Sequence, residues 1–397
     1  MRNYAKNFEL LLLLGALTAF APLSIDMYLP ALPMLELEFD TPTEMVQLSL
    51  TSFFIAFALG QVIYGPLADR FGRKKPLYAG LLIFTIASVG CAIAPTVGFL
   101  IAMRFFQGLG ACAGAVLARA MVRDLFPPAE MRRVYSMLIL VMGIAPILAP
   151  IFGSYILAWK GWMMIFATLT AIGGICLVMA FFRLPETHAS NKRRRIDIGS
   201  IFSFYGQLLS DWSFLRHALA GSISMAGMFA YITGSPHMFI TLHHLSTKDY
   251  SWLFGLNALG LIGLSQVNGR LLGGIPAEKV MRSAIVAQTV AGILLLLAGI
   301  SGAGGIIGIV LPLFVYIACV GLIAPNATTL AMTSHGKDAG MASAMIGLLQ
   351  FSLAALATVA VSTMEEIRGD ALPMTLAIAT CAVIGFLLPG GRLAKPR

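Results

Sequence analysis

Two ionisable residues stand inside long apolar runs of the sequence. Asp26 lies near the end of the first run, and Arg104 lies within the fourth. A charge in an apolar interior is costly, and a residue that keeps one there usually has a function. A buried carboxylate can bind and release a proton, and a neighbouring guanidinium changes how readily it does so. We therefore expect proton transfer at Asp26, with Arg104 tuning it.

The positions of the other acidic residues single out Asp26. We place every other Asp or Glu at the end of an apolar run or between runs. At a helical rise of about 1.5 Å per residue, Asp26 and Arg104 both fall in the outer third of a bilayer. A fixed ion pair that joins the first and fourth runs is the structural alternative to proton transfer. Whether the two side chains meet does not follow from the sequence.

The composition is that of a membrane protein. Of the 397 residues, 58% are hydrophobic and only 11% carry charge, whereas soluble domains are about 25% charged. These values exclude a water-soluble globule and a disordered chain. The five cysteines stand singly in apolar runs without metal-ligand spacing, so we expect no disulfide, no metal site and no cofactor.

Twelve apolar runs are long enough to cross a bilayer as helices, which takes about 20 residues. In the first run, Ala19-Phe20-Ala21 imitates the cleavage site of a secretory leader, but the run continues to Leu32 and is expected to be retained. The sequence thus predicts an all-α polytopic fold. The predicted spans are 8–31, 45–67, 77–95, 98–122, 134–157, 162–182, 217–240, 251–272, 282–302, 305–326, 341–364 and 371–389.

The basic residues predict the orientation. With the N-terminus inside, 23 of the 27 Lys and Arg residues lie in the inner segments, and only Lys160, Lys248 and Arg368 lie in outer loops. Because inner loops of membrane proteins are rich in Lys and Arg, both termini are predicted to be cytoplasmic. The net charge of +9 would then face anionic lipid instead of nucleic acid.

A long inner segment divides the spans into two sets of six. We expect an N-terminal bundle at 1–182, a cytoplasmic linker at 183–216 and a C-terminal bundle at 217–397. Within the linker, 192–195 is a basic run, and 196–214 mixes apolar and polar residues as a helix on the membrane surface does. Two six-helix halves are typical of transporters that bind their substrate between the halves.

The loop between spans two and three reads GPLADRFGRKK. Gly65 would permit close helix contact, Gly72 a tight reversal, and Asp69 a local ion pair or a helix cap. The segment resembles the signature loop of the major facilitator superfamily. The resemblance implies a fold of two six-helix bundles, and it implies that Asp69, Arg70 and Arg73 form a cytoplasmic latch that breaks and reforms during transport.

Two segments narrow the resemblance to one branch of that superfamily. PLSIDMYLPALP at 22–33 is similar to the acidic first-span motif of drug/proton antiporters, and RFFQGLG at 104–110 is similar to their fourth-span motif. The branch they resemble is that of the 12-span bicyclomycin-resistance (Bcr/CflA) exporters. The resemblance implies multidrug efflux by antiport, driven by the proton motive force, in a bacterial inner membrane.

Span five contains prolines and glycines that bend helices and permit close packing. Pro146, Pro150 and Gly153 resemble the exporter-type motif of this branch, although Ala149 and Ser154 replace two of its glycines. The motif would favour antiport by limiting leak through the bundle. Ordinary helix kinking is the alternative explanation.

Substrate contacts are harder to predict. A promiscuous pocket uses flexible or aromatic surface with few fixed polar groups. Each candidate can alternatively be a helix-packing residue, and His237 near the end of span seven is interpreted as structural. The candidates that we select are Tyr28, Gln61, Gln107, Met225, Met228, Asn257, Asn326 and Gln350.

Other classes of function fit the sequence less well. A membrane enzyme would need clustered His, Cys or carboxylates, and an ATP-driven pump would need a phosphate-binding G-x-x-x-x-G-K-[ST] loop, which is absent from the sequence. A proton-coupled uptake transporter, or an exporter of one endogenous metabolite, remains the alternative. We predict a monomeric exporter of small hydrophobic or amphipathic molecules, with protons and the lipid bilayer as its other partners and no nucleic acid.

Overall fold

The protein is described from a computed structural model at residues 8–126, 128–187, 198–270, 272, 274–333, 335 and 339–388. Over these residues the chain is helical, and no strand occurs in them. Two compact units are present, and each is internally well packed. The all-α fold that the apolar runs predict is therefore confirmed.

Unit one contains the described residues up to Ile198, together with His244–Gly255. Within it, α5 packs against α1, α3 and α4, while α6 packs against α1 and α7 against α4. α5 is thus the central helix of unit one. The helices of this part of the chain are α1 (Phe8–Asp26), α2 (Leu32–Glu38), α3 (Thr43–Phe71), α4 (Lys74–Ala92), α5 (Val97–Leu125), α6 (Pro128–Lys160) and α7 (Met163–Arg183).

Unit two contains Gly199–His243 and the described residues from Leu256 onward. Its central helix is α9, which packs against α12, α13 and α14, while α11 packs against α12 and α14. A π-helical turn at His237–Leu242 follows α9. α10 is divided between the units, since its residues up to Gly255 belong to unit one. The helices of this part of the chain are α8 (Ile198–Ser210), α9 (Trp212–Pro236), α10 (Thr247–Arg270), α11 (Ala277–Ser301), α12 (Gly305–Met332), α13 (Ala339–Arg368) and α14 (Leu372–Leu387).

Each of the twelve predicted spans coincides with a helix. Within the described chain, nine segments are long and apolar enough to cross a membrane. α14 is apolar but shorter. α9 and α10 are outside this set, and both contain many small and polar residues. The first span continues past its predicted end, because α1, a short 3₁₀ turn and α2 together form one apolar segment, Glu9–Glu38.

The predicted three-part division of the chain stays a prediction. The two compact units divide at Ile198, inside the predicted linker. The surface helix expected at 196–214 coincides with α8 and the start of α9, and α8 buries Tyr205 and Leu208 while it exposes Leu209. The basic run at 192–195 and the two chain ends lie outside the described residues.

Candidate functional site

The first span is interrupted at Asp26. α1 ends at this residue, and a 3₁₀ turn at Leu29–Ala31 leads into α2. At the break, the Tyr28 N–H donates to the carbonyl oxygen of Ile25 instead of that of Ser24. The tighter turn therefore releases the Ser24 carbonyl from the α-helical hydrogen-bond pattern, in which each N–H reaches back four residues.

Arg104, from the first half of α5, uses the released carbonyl. Its Nη1 donates to the Ser24 oxygen at 2.9 Å and to Gln107 Oε1 at 2.6 Å. Gln107 Nε2 in turn donates to Ser88 Oγ of α4 at 2.8 Å. Arg104 and Gln107 are both fully buried. One polar chain thus joins α5 to both α1 and α4.

Aromatic rings surround the Arg104 guanidinium. Its Cζ lies 4.8 Å from the ring centre of Tyr28, 4.6 Å from that of Phe53 and 5.9 Å from that of Phe166. A desolvated cation gains about 2 kcal/mol or more over such a ring. Nε and Nη2 of Arg104 are buried with no hydrogen-bond partner among the residues that the structure describes. The cation is therefore held in place with two of its nitrogens unused.

Asp26 is buried two residues after the Ser24 carbonyl that Arg104 binds, but its side chain does not pair with this cation. The residue is 3% exposed, and its carboxylate forms no ion pair with any side chain in the described part of the chain. The fixed ion pair with Arg104, which was the structural alternative, is absent in this conformation. Arg104 contacts α1 through the Ser24 backbone, because the helix break makes that carbonyl available.

α6 lies directly against the backbone that follows Asp26. A Cβ atom on Gly153 would overlap the carbonyl group of Met27, so only glycine permits this approach. Pro150 is buried and Pro146 is half-buried in the same helix. The Pro150 carbonyl accepts a hydrogen bond from Ser251 Oγ at 3.0 Å, within unit one. Of the span-five residues that the sequence singled out, Gly153 thus adjoins the break in α1.

The signature loop forms a compact charge network. Arg73 Nη1 lies 2.7 Å from Asp69 Oδ1, and Arg73 Nε lies 2.9 Å from Asp124 Oδ2 at the end of α5. Burial works against the charged form of Arg73, but the hydrogen bonds and charges of Asp124 and Asp69 outweigh it, so the pKa of Arg73 lies above its ordinary value. Of the two roles considered for Asp69, the local ion pair is the one observed.

Glu186 completes this network and was not among the predicted site residues. Its carboxylate accepts the backbone N–H of Arg73 at 2.8 Å and that of Lys74 at 3.3 Å. A carboxylate is favoured at a helix N-terminus, where N–H groups lack helical partners. Glu186 therefore caps α4 from the segment after α7. The sequence does show an acidic residue shortly after span six. It does not show that Glu186 caps α4, because the cap depends on how α4 and α7 pack against each other.

The glycines of the loop differ in what they do. Gly72 has φ 87°, in the left-handed region, and it lets the chain reverse between α3 and α4 as predicted. The close helix contact expected at Gly65 is not formed, since a Cβ there would meet no described heavy atom within 4 Å. Arg70 is exposed, and its guanidinium lies 5.0 Å from the Phe71 ring centre.

The substrate candidates in unit one are all buried. Tyr28 is fully buried, and its hydroxyl is 3.0 Å from Ser49 Oγ. Gln61 is buried within α3. Gln107 belongs to the Arg104 network. Tyr28 and Gln107 thus position Arg104 in this conformation, and any contact of theirs with a substrate stays a prediction.

The candidates in unit two differ in exposure. Asn257 is buried and donates to the Tyr231 hydroxyl at 3.0 Å, and Asn326 donates to Asn268 Oδ1 at 2.8 Å. Met225, Met228 and Gln350 are half-buried. The Oδ1 atom of Asn257 is buried without a hydrogen-bond partner in the described chain. Their role in binding remains a prediction.

Helices of membrane-crossing length define the class as a polytopic membrane protein. A buried cation and a buried acid at a helix break mark a candidate functional site in it. Among the described residues, no group of three His, Cys, Asp or Glu side chains is placed to hold a metal ion. The profile of the Major Facilitator Superfamily matches residues 14–358. The chain therefore belongs to this superfamily, and the resemblance of its signature loop is confirmed.

Full-length relatives and a solved structure agree with this assignment. The chain is 36% identical to an uncharacterized MFS-type transporter, YdgK, of Bacillus subtilis, over 96% of this chain and 94% of that protein. It is 30% identical to a bicyclomycin resistance protein homolog of Haemophilus influenzae, over 98% and 96% respectively. The crystal structure of a D-xylose–proton symporter superposes with a TM-score of 0.76 at 14% identity, covering 97% of this chain and 98% of that one. This last likeness concerns the fold alone.

Proposed function

We propose that the protein is a proton-driven exporter of small hydrophobic or amphipathic compounds, which it exchanges for protons across the bacterial cytoplasmic membrane. The relative from Haemophilus influenzae is named for bicyclomycin resistance, which supports a drug as cargo and export as direction. The energy would come from the proton gradient, so the proposal needs neither an enzymatic step nor a cofactor.

One observation carries the proposal: a buried carboxylate stands at a helix break, two residues after a carbonyl that a buried arginine binds, and the two side chains form no ion pair. Without an ion-pair partner, a carboxyl group is less costly to bury as the neutral acid. In the described conformation Asp26 would accordingly hold a proton. Arg104, with two unused nitrogens, is the group that would stabilise the anion once the proton leaves.

A movement of α1 would connect the protonated and the ionised states of Asp26. Arg104 already holds α1 at Ser24, two residues before Asp26. If the break at Asp26 straightens or turns, the carboxylate reaches Nη2 of Arg104 and releases its proton. α6 is in position to drive this change, because Gly153 contacts the Met27 backbone. Proton release and helix movement would then be one event.

The proposal also covers the cytoplasmic latch, the orientation of the chain and its division into two bundles. The network of Asp69, Arg73 and Asp124 would act as the latch that opens and reforms between transport states. Both chain ends would be cytoplasmic, as the Lys and Arg distribution predicts. The chain would be organised as two bundles, 1–182 and 217–397, joined by the linker 183–216, and one chain would contain a complete pathway.

The test uses purified protein in liposomes with a trapped pH-sensitive dye and an imposed proton gradient. Bicyclomycin, chloramphenicol and a sulfonamide are added to the wild type, to Asp26→Asn and to Glu38→Gln. Glu38 is a matched control, since it is an exposed carboxylate on α2 in the same apolar segment. We expect compound-triggered proton movement in the wild type and in Glu38→Gln, and its loss in Asp26→Asn.

Other results would overturn parts of the proposal. If compound-triggered proton movement survives in Asp26→Asn, Asp26 does not carry the coupled proton. If a labelled compound moves in the same direction as the proton, the protein is an uptake transporter and not an exporter. If the wild type moves neither compound nor proton with any drug in the panel, drug export is wrong, and a specific metabolite becomes the cargo to seek.

A further inference from the structure

An apolar groove lies on the surface of unit one between α4 and α7. Its volume is about 390 Å³, and it is open to the outside. Both helices are long and apolar enough to cross a membrane. Most of the side chains that line the groove are exposed, so the groove faces lipid when the helices span a bilayer. The lining is formed chiefly by Tyr78, Ala79 and Leu82 of α4 and by Val178, Phe181 and Phe182 of α7.

The walls of this groove offer no polar group to an occupant. The Tyr78 hydroxyl, the one hydroxyl among the described residues that line it, donates to the Ala180 carbonyl at 3.2 Å. The ring centres of Tyr78 and Phe181 are 6.0 Å apart, and those of Phe181 and Phe182 are 5.2 Å apart. A drug-sized ligand usually needs a few placed polar groups to fix its orientation. The groove is therefore better suited to a hydrocarbon chain than to a drug.

Two lysines stand at one end of the groove, in the first turn of α4. Lys74 precedes Tyr78 by four residues, and Lys75 precedes Ala79 by four, so both lie on the groove side of the helix. Lys74 Nζ is 5.4 Å from the ring centre of Tyr78. Neither lysine forms an ion pair with an acid in the part of the chain that the structure describes.

The acids at this end of unit one bind other groups. Glu186 accepts two backbone N–H groups at the start of α4, at 2.8 and 3.3 Å. The acids of the signature-loop network hold Arg73. Arg183, at the end of α7, lies 3.2 Å from a carboxylate oxygen of Glu9. The ammonium groups of the two lysines are thus available to an anion that comes from outside the chain.

The size of the groove favours an acyl chain over a helix of a second protein. One turn of an α-helix about 10 Å wide and about 5.4 Å high occupies about 420 Å³, which exceeds the volume of the whole groove. A hydrocarbon chain is narrow and flexible enough to follow the groove. Filling it restores the dispersion contacts that the walls lack when the groove is empty. A molecule with an acyl chain and an anionic headgroup matches both the groove and its basic end.

We propose that unit one binds an anionic phospholipid, with an acyl chain in the groove between α4 and α7 and the phosphate at Lys74 and Lys75. Basic pockets beside membrane-spanning helices bind anionic headgroups in this way. A zwitterionic headgroup adds an ammonium group that the lysines repel, so the site selects anionic lipid. This inference does not depend on the proposed export or on its cargo.

The position of the lipid is tested on the wild type in a bilayer of phosphatidylethanolamine. The bilayer contains a small share of phosphatidylglycerol whose acyl chain carries a photoreactive group, and mass spectrometry of the labelled peptides locates the chain. We expect the label to concentrate on Leu82, Val178 and Phe182. A phosphatidylethanolamine probe with the same chain should label the membrane-facing helices evenly. An even distribution for phosphatidylglycerol would mean ordinary surrounding lipid only and would overturn the site.

The selectivity of the headgroup is measured by native mass spectrometry of the purified protein titrated with each lipid. Since each lysine near a membrane surface contributes about 1 kcal/mol, we expect phosphatidylglycerol to bind about 30-fold more tightly than phosphatidylethanolamine. Lys74→Gln and Lys75→Gln should each weaken phosphatidylglycerol binding about 5-fold. Lys279→Gln is the matched control, because Lys279 is an exposed lysine in the first turn of α11. Equal affinity for the two lipids overturns the assignment of the phosphate to the lysines.

The groove itself is tested by filling it. Ala79→Phe places a ring in the groove and should remove the label from Val178 and Phe182. Ala171→Phe is the matched control, since Ala171 is an exposed alanine of α7 outside the groove, and it should label as the wild type does. Unchanged labelling in Ala79→Phe shows that the acyl chain does not lie in the groove and overturns this part of the proposal.

A second copy of the chain is the competing occupant of the groove. It would appear in the native mass spectrum as a dimer that phosphatidylglycerol does not dissociate and that Ala79→Phe does. That result would assign the groove to a protein interface and overturn the lipid site. We expect instead a monomer that retains phosphatidylglycerol.

Discussion

The end of α1 and the end of α9 both place an ionisable residue where a helix changes its hydrogen bonding. α1 ends at Asp26, and α9 gives way to a π-helical turn at His237. The residues that follow are alike, Met-Tyr-Leu after Asp26 and Met-Phe-Ile after His237. The corresponding points of the two units thus share a layout but differ in the group that occupies it.

The difference lies in the fixed charge. In unit one a fully buried arginine is held by the Ser24 carbonyl, by Gln107 and by aromatic rings. In unit two the nearby arginine, Arg368, is exposed and pairs with Asp370. A permanent buried cation has to be compensated in every state, whereas an imidazole can be neutral. Transport activity should therefore depend strongly on Arg104 of unit one. Loss of the exposed charge of Arg368 in unit two should have a smaller effect.

Arg104→Gln should have the largest effect and tests the fixed cation directly. The glutamine is too short to reach both acceptors, and a buried acceptor that loses its donor costs about 1–3 kcal/mol. We expect compound-triggered proton movement in liposomes to fall about 10-fold or more. Arg119→Gln, an exposed arginine on the same helix, is the control. If Arg104→Gln and Arg119→Gln are equally active, unit one does not depend on its buried arginine, and the proposed difference between the two units is wrong.

Gly153→Ala and Gly234→Ala compare the packing of the two helix ends. A Cβ at Gly153 overlaps the Met27 backbone, whereas the three atoms nearest to a Cβ at Gly234 belong to the side chains of Met374 and Glu365. Because backbone yields less than side chains, we expect Gly153→Ala to cost about 1–3 kcal/mol and Gly234→Ala less. Thermal unfolding in detergent measures both. Gly174→Ala, where a Cβ meets nothing within 4 Å, should cost nothing, and a larger loss for Gly234→Ala would contradict the comparison.

The exposed ion pair between Arg368 and Asp370 in unit two should have the smallest effect of the three, and the effect is on stability. The hydrogen bond from Arg368 comes first among the causes that hold the pKa of Asp370 below its ordinary 3.8. A lowered folded pKa stabilises the protein above the ordinary value, and this contribution is lost as pH falls through the folded pKa. An exposed pair contributes at most about 1 kcal/mol.

Arg368→Ala should accordingly unfold at a slightly lower temperature than the wild type at about pH 6. The gap should close as the pH falls below the ordinary 3.8 and through the lowered pKa of Asp370. Scanning calorimetry across this range measures it. A gap that stays constant with pH would show that Arg368 acts through packing instead of through Asp370.

Much of the architecture could be predicted from the sequence, because apolar runs of bilayer length leave the backbone few options besides helix. The ends of the runs were less predictable. The first span breaks at Asp26, inside its predicted range, and α13 extends beyond residue 364 and buries Glu365. Hydropathy averages over many residues, so it does not register one carboxylate that packing shields at the end of a helix.

From composition and spacing alone, the chain is predicted to be an all-helical membrane protein with a superfamily signature loop, and Asp26 and Arg104 are predicted to be buried. Those features suffice because lipid admits only long apolar helices. Three contacts could be seen only in the folded structure: Arg104 binds the Ser24 carbonyl instead of Asp26, Glu186 caps α4, and Glu365 lies inside unit two beside α9. These contacts join segments far apart in the chain, and their geometry depends on which helix faces meet.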